Sequence, residues 1–547
     1  MIDGNLLWDK SLTNDLIQVQ FQGSPMITTF PGLPDNLYMA LKRTASYYPE
    51  KIALSDNYGR EYTYQNFQQR CEELSAYLYF RKGIRKGSHV GLMMYNCVEF
   101  CVSFLALSRL GAVTVPLPSK FKEKEVLSLA KRAEVELVIC DEQYEAWFQG
   151  VYQPEAVMTV RKVEEQYGFL DLYREWEAQP LLKAQDISGL DGVETGSPKD
   201  AAIIMFTSGT TSESKGVLLR NYNIMHAVEA YRRTLGITKE DISVIATPIY
   251  HITGLVALLG LFLHTGGTLY LHKFFDASRV IREAREKGFT FIHASPTVFN
   301  LLIQEGENTP PIPSLKSFAC GSSNMNKSKL RQLHKWLPDS KFHTVYGLTE
   351  TSSPATVFPG DAATSTHIGA SGIPIPGTQF MILDEDGKEL PTGEVGEIVV
   401  KGSVVLDSYY KQKSQSLKDG WLYTGDLGYF TEDSYLFVVD RKKNMINRGG
   451  EKIWCFDVEN ELTSMEEIQD AAVVGIPDEL YGEVAAAVVQ LRTGSEVTPE
   501  MIKEYLAGRI AKYKIPVKIK LVDRVPQTAN GKTDKNTIKK LLMEDET

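Results

Sequence analysis

The chain has 547 residues, 43% of them hydrophobic, and a formal net charge of −10. This is more than one hydrophobic core can organise, so a large body with a smaller domain is expected. The acidic balance, without a long basic tract, argues against nucleic acid as the partner and leaves the binding of any anionic ligand to local groups.

Six cysteines, at 71, 97, 101, 140, 320 and 455, lack metal-ligand spacing and read as reduced, buried thiols of a cytoplasmic protein. The opening MIDGNLLWDK has no basic stretch followed by an apolar core, so no secretory signal is expected. The longest apolar run, residues 254–263, is too short to cross a bilayer, so no transmembrane segment is expected.

Residues 1–35 contain two Gly/Pro-rich breaks, GSP at 23 and PGLPDN at 31, and read as a surface lead-in. The first patterned helix follows in NLYMALKRTASYY, whose apolar residues recur at helical spacing. From there the chain alternates short apolar runs with amphipathic helices, the pattern of parallel βαβ layers. AAIIMF, FTFIHA and KFHTVY are the strand candidates, and residues 223–235 and 327–336 the helix candidates. Ser295 before Pro296 supplies a cap and a first-turn proline for the helix PTVFNLLIQ.

GEVGEIVVKG and DSYLFVVDRKKNMI read as short hairpins of a smaller β-rich layer. A boundary is expected close to Asp440. Beyond it, AAVVGIP, VAAAVVQL and EMIKEYLAGRI alternate strand and helix over a length sufficient for a small domain. The expected fold is α/β. A large N-terminal body, residues 36–439, has mixed and parallel βαβ layers plus a β-rich subdomain, and a small mobile α+β C-terminal domain, residues 440–547, is hinged at about 440.

TSGTTSESKG follows the strand candidate AAIIMF and offers the hydroxyls of Thr207, Ser208, Thr210 and Thr211, the bare backbone of Gly209 and the cation of Lys215. Such a run suits polyphosphate oxygens, although it is not a Walker loop and in isolation could equally be a solvated turn. YGLTE ends another strand candidate. Within five residues it places an aromatic ring, a glycine, a hydroxyl and a carboxylate, able to stack a purine, admit a close backbone, bond a phosphate and hold a hard cation.

Asp426 in YTGDLGYF could be a turn aspartate, and the DRKKN run a solvated turn. Gly449 and Gly450 in RGGEK can adopt positive φ and let a narrow ligand approach the backbone. His251 in TPIYHITGL, taken alone, is more often a core histidine, and a lone C-terminal lysine such as Lys532 in TANGKTDK is normally just solvated.

Taken together and in this order, these segments resemble the adenylate-forming superfamily of acyl-CoA synthetases, aryl-CoA ligases, firefly-type luciferases and peptide-synthetase adenylation domains. The resemblance spans about residues 37–540 and is strongest to AMP-forming acyl-CoA synthetases. It implies that a carboxylate attacks the α-phosphate of ATP to give an acyl-adenylate and pyrophosphate, after which a thiol takes the acyl group and releases AMP. It further implies that Tyr346 lines the adenine site, Thr349 contacts the α-phosphate, Glu350 coordinates Mg²⁺, Asp426 holds the ribose hydroxyls, and Arg441 adds a cation near ribose and phosphate.

Gly321, Ser322 and Ser323 match a stretch that packs on adenine and acyl group. The Ser-Ser pair departs from the usual Gly or Ala followed by Pro, and Ser214 departs from the proline that usually precedes the loop lysine. The family's domain reorientation falls at Asp440 and Arg441. Gly449 and Gly450 favour a pantetheine thiol, hence CoA, and Lys452 falls where some relatives place a phosphate contact. By resemblance Lys532 is the adenylation lysine, and His251 gates or orients the acyl carboxylate.

The small or aliphatic Gly254, Leu255 and Val256 suggest a pocket for an apolar tail, fatty or aryl, rather than a dicarboxylate. Two alternatives stay open: a stand-alone enzyme loading an acyl carrier protein, for which the same glycines would serve, and a catalytically silent nucleotide-binding protein.

Overall fold

The computed structural model describes residues 1–21, 26–163, 166–169, 180–207, 214–321, 325–528 and 533–544. The α/β reading holds. A seven-stranded sheet runs in the order Gln166–Gly168, Val157–Val163, Leu137–Asp141, His89–Met93, Val113–Pro116, Ala201–Thr207, Lys215–Arg220. Its inner strands are parallel, and the last pair is antiparallel, with Thr207 opposite Lys215. The inner strands Leu137–Asp141 and Val113–Pro116 are buried at every position, as expected of parallel strands covered on both faces.

A second sheet joins Phe291–Ala294, Ser317–Cys320 and Lys341–Tyr346 in parallel, with two short antiparallel strands beyond. A third pairs Ile242–Ile245, Thr268–Leu271 and Ile52–Asp56 in parallel. The expected helices form at Leu37–Tyr47, Asn221–Leu235, Pro296–Gly306 and Lys327–Trp336. Asn36 caps the first through the Met39 amide at 2.9 Å. Ser295 stands at the N-cap of Pro296–Gly306, but its hydroxyl makes no capping bond and its carbonyl alone accepts from Phe299.

The β-rich layer is built differently from the two expected hairpins. GEVGEIVVKG supplies one strand, Gly396–Gly402, which lies between Thr378–Leu383 and Trp421–Phe430. DSYLFVVDRKKNMI does not fold on itself. Its Leu436–Arg441 pairs with Trp421–Phe430, whereas Ile446–Arg448 pairs with Glu451–Ile453 in another sheet. The N-terminal residues join the same layer. Ile2–Asp3 adds an edge strand to Thr378–Leu383, and the Trp8 indole donates to the Pro374 carbonyl at 2.8 Å.

The chain after Asp440 forms a five-stranded sheet with helices on both faces. Strand alternation divides its residues between two cores. Ala471, Val473, Ala485, Ala487 and Val489 pack with Val458, Leu462, Ile502 and Leu506, while Ala472, Val474, Val484, Ala486 and Val488 pack with Ile538 and Leu542. Among the described residues no helix is long and apolar enough to cross a membrane. The apolar run at 254–263 is wound as a π-helix, Thr253–Gly260, continuing into Leu261–Thr265, and sits in the core. All six cysteines are buried and unpaired.

Candidate active site

A cavity of about 800 Å³ opens where the ends of these layers meet. Strand ends and the loops beyond them supply its walls, the usual location of ligands in α/β folds. Of the residues singled out in the sequence, Thr207, Lys215, His251, Gly321, Thr349, Glu350 and Arg441 line it. Tyr346 and Asp426 do not line it themselves, but Asp426 pairs with Arg441, which does.

The Tyr346 hydroxyl donates to Asp426 Oδ2 at 2.9 Å, and Arg441 Nε meets Asp426 Oδ1 at 3.0 Å. Asp426 and Arg441 are directly opposite on adjacent antiparallel strands, which sets this geometry in the backbone. The carboxylate is buried, 4% exposed, so its two partners offset a desolvation that would otherwise be costly.

Gly347 follows Tyr346 because nothing larger fits. A β-carbon there would collide with the Ser353 carbonyl oxygen, in the tight turn where Ser352 and Ser353 both hold positive φ. That turn carries Thr349 and Glu350 into the cavity. Glu350 Oε1 accepts from the Tyr409 hydroxyl at 3.3 Å, and burial raises its pKa above the usual glutamate value. Among the described residues no cation pairs with it.

Lys215 Nζ donates to Ser414 Oγ at 2.9 Å and lies over the Tyr409 ring, 5.3 Å from its centroid. The ammonium is thus held by neutral groups beside the carboxylate. A carboxylate raised by burial, with a cation held nearby by hydroxyls, suits Mg²⁺ brought in on phosphate oxygens, since that ion needs few protein carboxylates. Among the described residues no cluster of three or more His, Cys, Asp or Glu could hold a metal by itself.

Some expected residues lie elsewhere. Gly449 and Gly450 form the turn between Ile446–Arg448 and Glu451–Ile453, with φ of 60° and 99°, and do not line the cavity. Lys452, on the same hairpin, pairs with Glu385 at 3.3 Å on the surface. Gly254, Leu255 and Val256 do not line it either. They are core residues of the π-helix, and a β-carbon on Gly254 would lie 2.8 Å from Ile249 Cα. Ser208, Gly209, Thr210, Thr211, Ser322, Ser323 and Lys532 lie outside the described residues. Gln527, shortly before Lys532 in sequence, lines the cavity.

The cavity also contains residues that the sequence did not single out: Tyr409, His293 and Lys120. Tyr409 is 59 positions from the glutamate it touches, and no local motif marks it. His293 lies within the strand candidate FTFIHA, which marks it with no motif of its own. Lys120 reaches from the exposed rim, and the partial burial of its ammonium lowers its pKa.

The family model for the AMP-binding enzyme matches residues 41–410, and that for the AMP-binding enzyme C-terminal domain matches residues 457–532. The chain belongs to the AMP-binding enzyme family. It is 31% identical over 479 residues to a 2-succinylbenzoate–CoA ligase of Bacillus cereus, a match covering 87% of this chain and 91% of the relative. It is 28% identical over 514 residues to a medium-chain fatty-acid–CoA ligase of Escherichia coli, covering 92% and 89%. Among solved structures, o-succinylbenzoate CoA synthetase of Bacillus subtilis, bound to its acyl-adenylate intermediate, superposes with a TM-score of 0.77 at 27% identity, over 92% of this chain and 98% of that one.

Proposed function

We propose that this chain activates a carboxylic acid with a largely apolar tail, fatty or aryl. The chain is an AMP-forming acyl-CoA synthetase: it uses Mg-ATP to form an acyl-adenylate and passes the acyl group to CoA. The observation that carries the reading is the convergence on one cavity of the Glu350 carboxylate, the Lys215 ammonium and Arg441, which pairs with the buried Asp426 that Tyr346 also holds. The same cavity is lined by Phe121, Phe206, Ile252, Phe275, Val298 and Leu301, an apolar chamber for the acid's tail.

In the first half-reaction an acid oxygen forms a bond to the α-phosphorus as the bond to the pyrophosphate oxygen breaks. Asp426, oriented by Tyr346 and Arg441, accepts from the ribose hydroxyls and fixes the nucleoside. Thr349 donates to an α-phosphate oxygen. Lys215 and the Ser/Thr-rich run 207–212 meet the outer phosphates, and Lys532 neutralises charge that develops during attack. Glu350 would hold Mg²⁺, which when bound offsets the charge of the leaving phosphates. His251 orients the carboxylate and needs no proton, because a carboxylate is already a competent nucleophile.

In the second half-reaction a thiol sulfur bonds to the acyl carbon as AMP leaves. The Gly449–Gly450 turn gives pantetheine close access to the backbone only after residues 440–547 turn about Asp440. This is why that turn and Gln527 need not face the cavity together. A thiol of an acyl carrier protein is the alternative acceptor. The cytoplasm is the compartment we assign, where six unpaired buried thiols stay reduced.

The test is formation of acyl-CoA and AMP from Mg-ATP and CoA across short, medium, long, aryl and dicarboxylic acids. Turnover of monocarboxylic acids with apolar tails supports the reading. Turnover of dicarboxylates alone overturns the choice of acid and turns attention to Lys120.

A further inference from the structure

His293 lines the same cavity while being almost wholly enclosed, 2% exposed, at the end of the strand Phe291–Ala294. Its Nδ1 is buried and makes no hydrogen bond among the described residues. The hydroxyl of the neighbouring Tyr231 is already engaged, lying 2.9 Å from Ser353 Oγ. The Tyr231 and Phe291 rings stand roughly edge-on to the imidazole, with centroids at 5.7 and 6.2 Å, and offer it no partner. On another side is Gly321, also in the cavity wall. A β-carbon there would sit 3.6 Å from Nε2, so the absence of a side chain leaves that nitrogen open to approach.

An imidazole in this position is expensive. A buried polar group without a partner costs about 1–3 kcal/mol, and such groups in native structures ask for a missing ligand or water. Burial pushes the His293 pKa down to about 3, so the ring is neutral at working pH, with one nitrogen donating and the other accepting. A neutral ring supplies no charge to offset a second, buried carboxylate, which calls for a fixed cation. It matches a neutral oxygen: a carbonyl that accepts from N–H, or a hydroxyl that does either.

We propose that His293 reads a hydroxyl or carbonyl oxygen on the tail of the acid, making the substrate an oxygenated carboxylic acid whose single polar substituent sits against an otherwise apolar wall. This rests on the ligase reading above and narrows it. Recognition of this kind discriminates strongly, because a site built to bond an oxygen leaves its own polar group unpaired when the analogue lacks it.

The experiment uses the full-length enzyme with straight-chain acids and, for each, derivatives bearing one hydroxyl or one ketone at successive carbons, followed by pyrophosphate release in the presence of CoA. For at least one position the oxygenated acid is expected to exceed its parent in kcat/KM by about 10- to 100-fold. His293→Leu is expected to abolish that preference, and His293→Gln, which keeps a donor and an acceptor, to retain part of it.

Equal use of parents and derivatives by the wild type, or a preference that survives His293→Leu, overturns the inference while leaving the ligase reading intact. Pyrophosphate release with no acid of either kind removes both. Should the variants fail to fold, a crystal structure of the wild type with the preferred acid and ATP decides. The substituent oxygen is expected within hydrogen-bond distance of a His293 nitrogen, and a water molecule there instead overturns the proposal.

Discussion

Tyr346 and Asp426, 80 positions apart in the chain, meet through a hydrogen bond of 2.9 Å, and the same carboxylate is held from its other side by Arg441. The resemblance implied an aromatic wall for adenine and a ribose ligand as separate parts. In the structure the two side chains form one unit, in which the tyrosine hydroxyl fixes the direction of the carboxylate.

Tyr346→Phe therefore keeps the ring and loses the orientation. A hydrogen bond to a charged group contributes about 1.5–3 kcal/mol, so KM for ATP should rise by about tenfold or more. Asp426→Ala should cost more, since it also leaves Arg441 without its partner. Steady-state kinetics on ATP, with acid saturating, checks both. Equal effects of the two substitutions would contradict the assigned division of labour.

Among the described residues Lys215 is tethered by serine hydroxyls and an aromatic face alone, which leaves its charge available to phosphate. Lys215→Ala should weaken ATP by about 10- to 100-fold and AMP little, because only ATP carries the outer phosphates. Equilibrium binding of the two nucleotides separates the outcomes, and comparable losses for both would exclude the assignment.

Glu350 is raised above its ordinary value by burial, so in the free enzyme it takes up a proton at a higher pH than an exposed glutamate would. A protonated carboxyl is a poor ligand for a hard cation. Activity should therefore fall as pH falls through this raised value. In kcat/KM profiles the acid limb should lie above the usual glutamate pKa and move down as Mg²⁺ is increased. Glu350→Gln should remove the limb together with most of the activity.

Burial lowers the pKa of several described histidines, His264, His272 and His343 among them, and most plainly of two: His226, its pKa pushed down to about 4, bonded to Thr29 and to the Pro376 carbonyl, and His293, pushed down to about 3. Each has a folded pKa below the value of about 6.5 in the unfolded chain, so below that pH the unfolded state binds the extra protons. Stability should then fall as pH drops from about 6.5 towards 4, by about 1.4 kcal/mol per pH unit for each histidine. Chemical denaturation across that range measures it. His293→Leu should make the slope shallower by that one histidine's share, and an unchanged slope would contradict the assignment.

Local patterns in the sequence were enough to locate KFHTVY, AAIIMF and the helix after Asn36, because apolar runs and capping residues act over a few positions. The two β-rich segments were misread for the converse reason. GEVGEIVVKG and DSYLFVVDRKKNMI find their partners in Thr378–Leu383 and Trp421–Phe430, and strand pairing at that range leaves no mark on the strand itself.

The candidate site divides along the same line. Thr349, Glu350, Lys215 and Arg441 were legible as motif residues. Tyr409 was not, because its role exists only through contact with Glu350 and Lys215. His293 was hidden in a strand buried at every position, where nothing in the sequence sets a cavity residue apart from core. The reading of Gly254, Leu255 and Val256 as pocket wall failed because apolar character does not distinguish a cavity from a packed interior.

The most direct test of the account is exchange of labelled pyrophosphate into ATP, with acid and Mg²⁺ present and CoA absent. If the first half-reaction is reversible adenylate formation at this cavity, label should enter ATP only when a competent acid is present. Lys532→Ala should abolish the exchange while still transferring the acyl group of a supplied acyl-adenylate to CoA. Absence of exchange with every acid, or nucleotide cleavage giving ADP and phosphate, would contradict it.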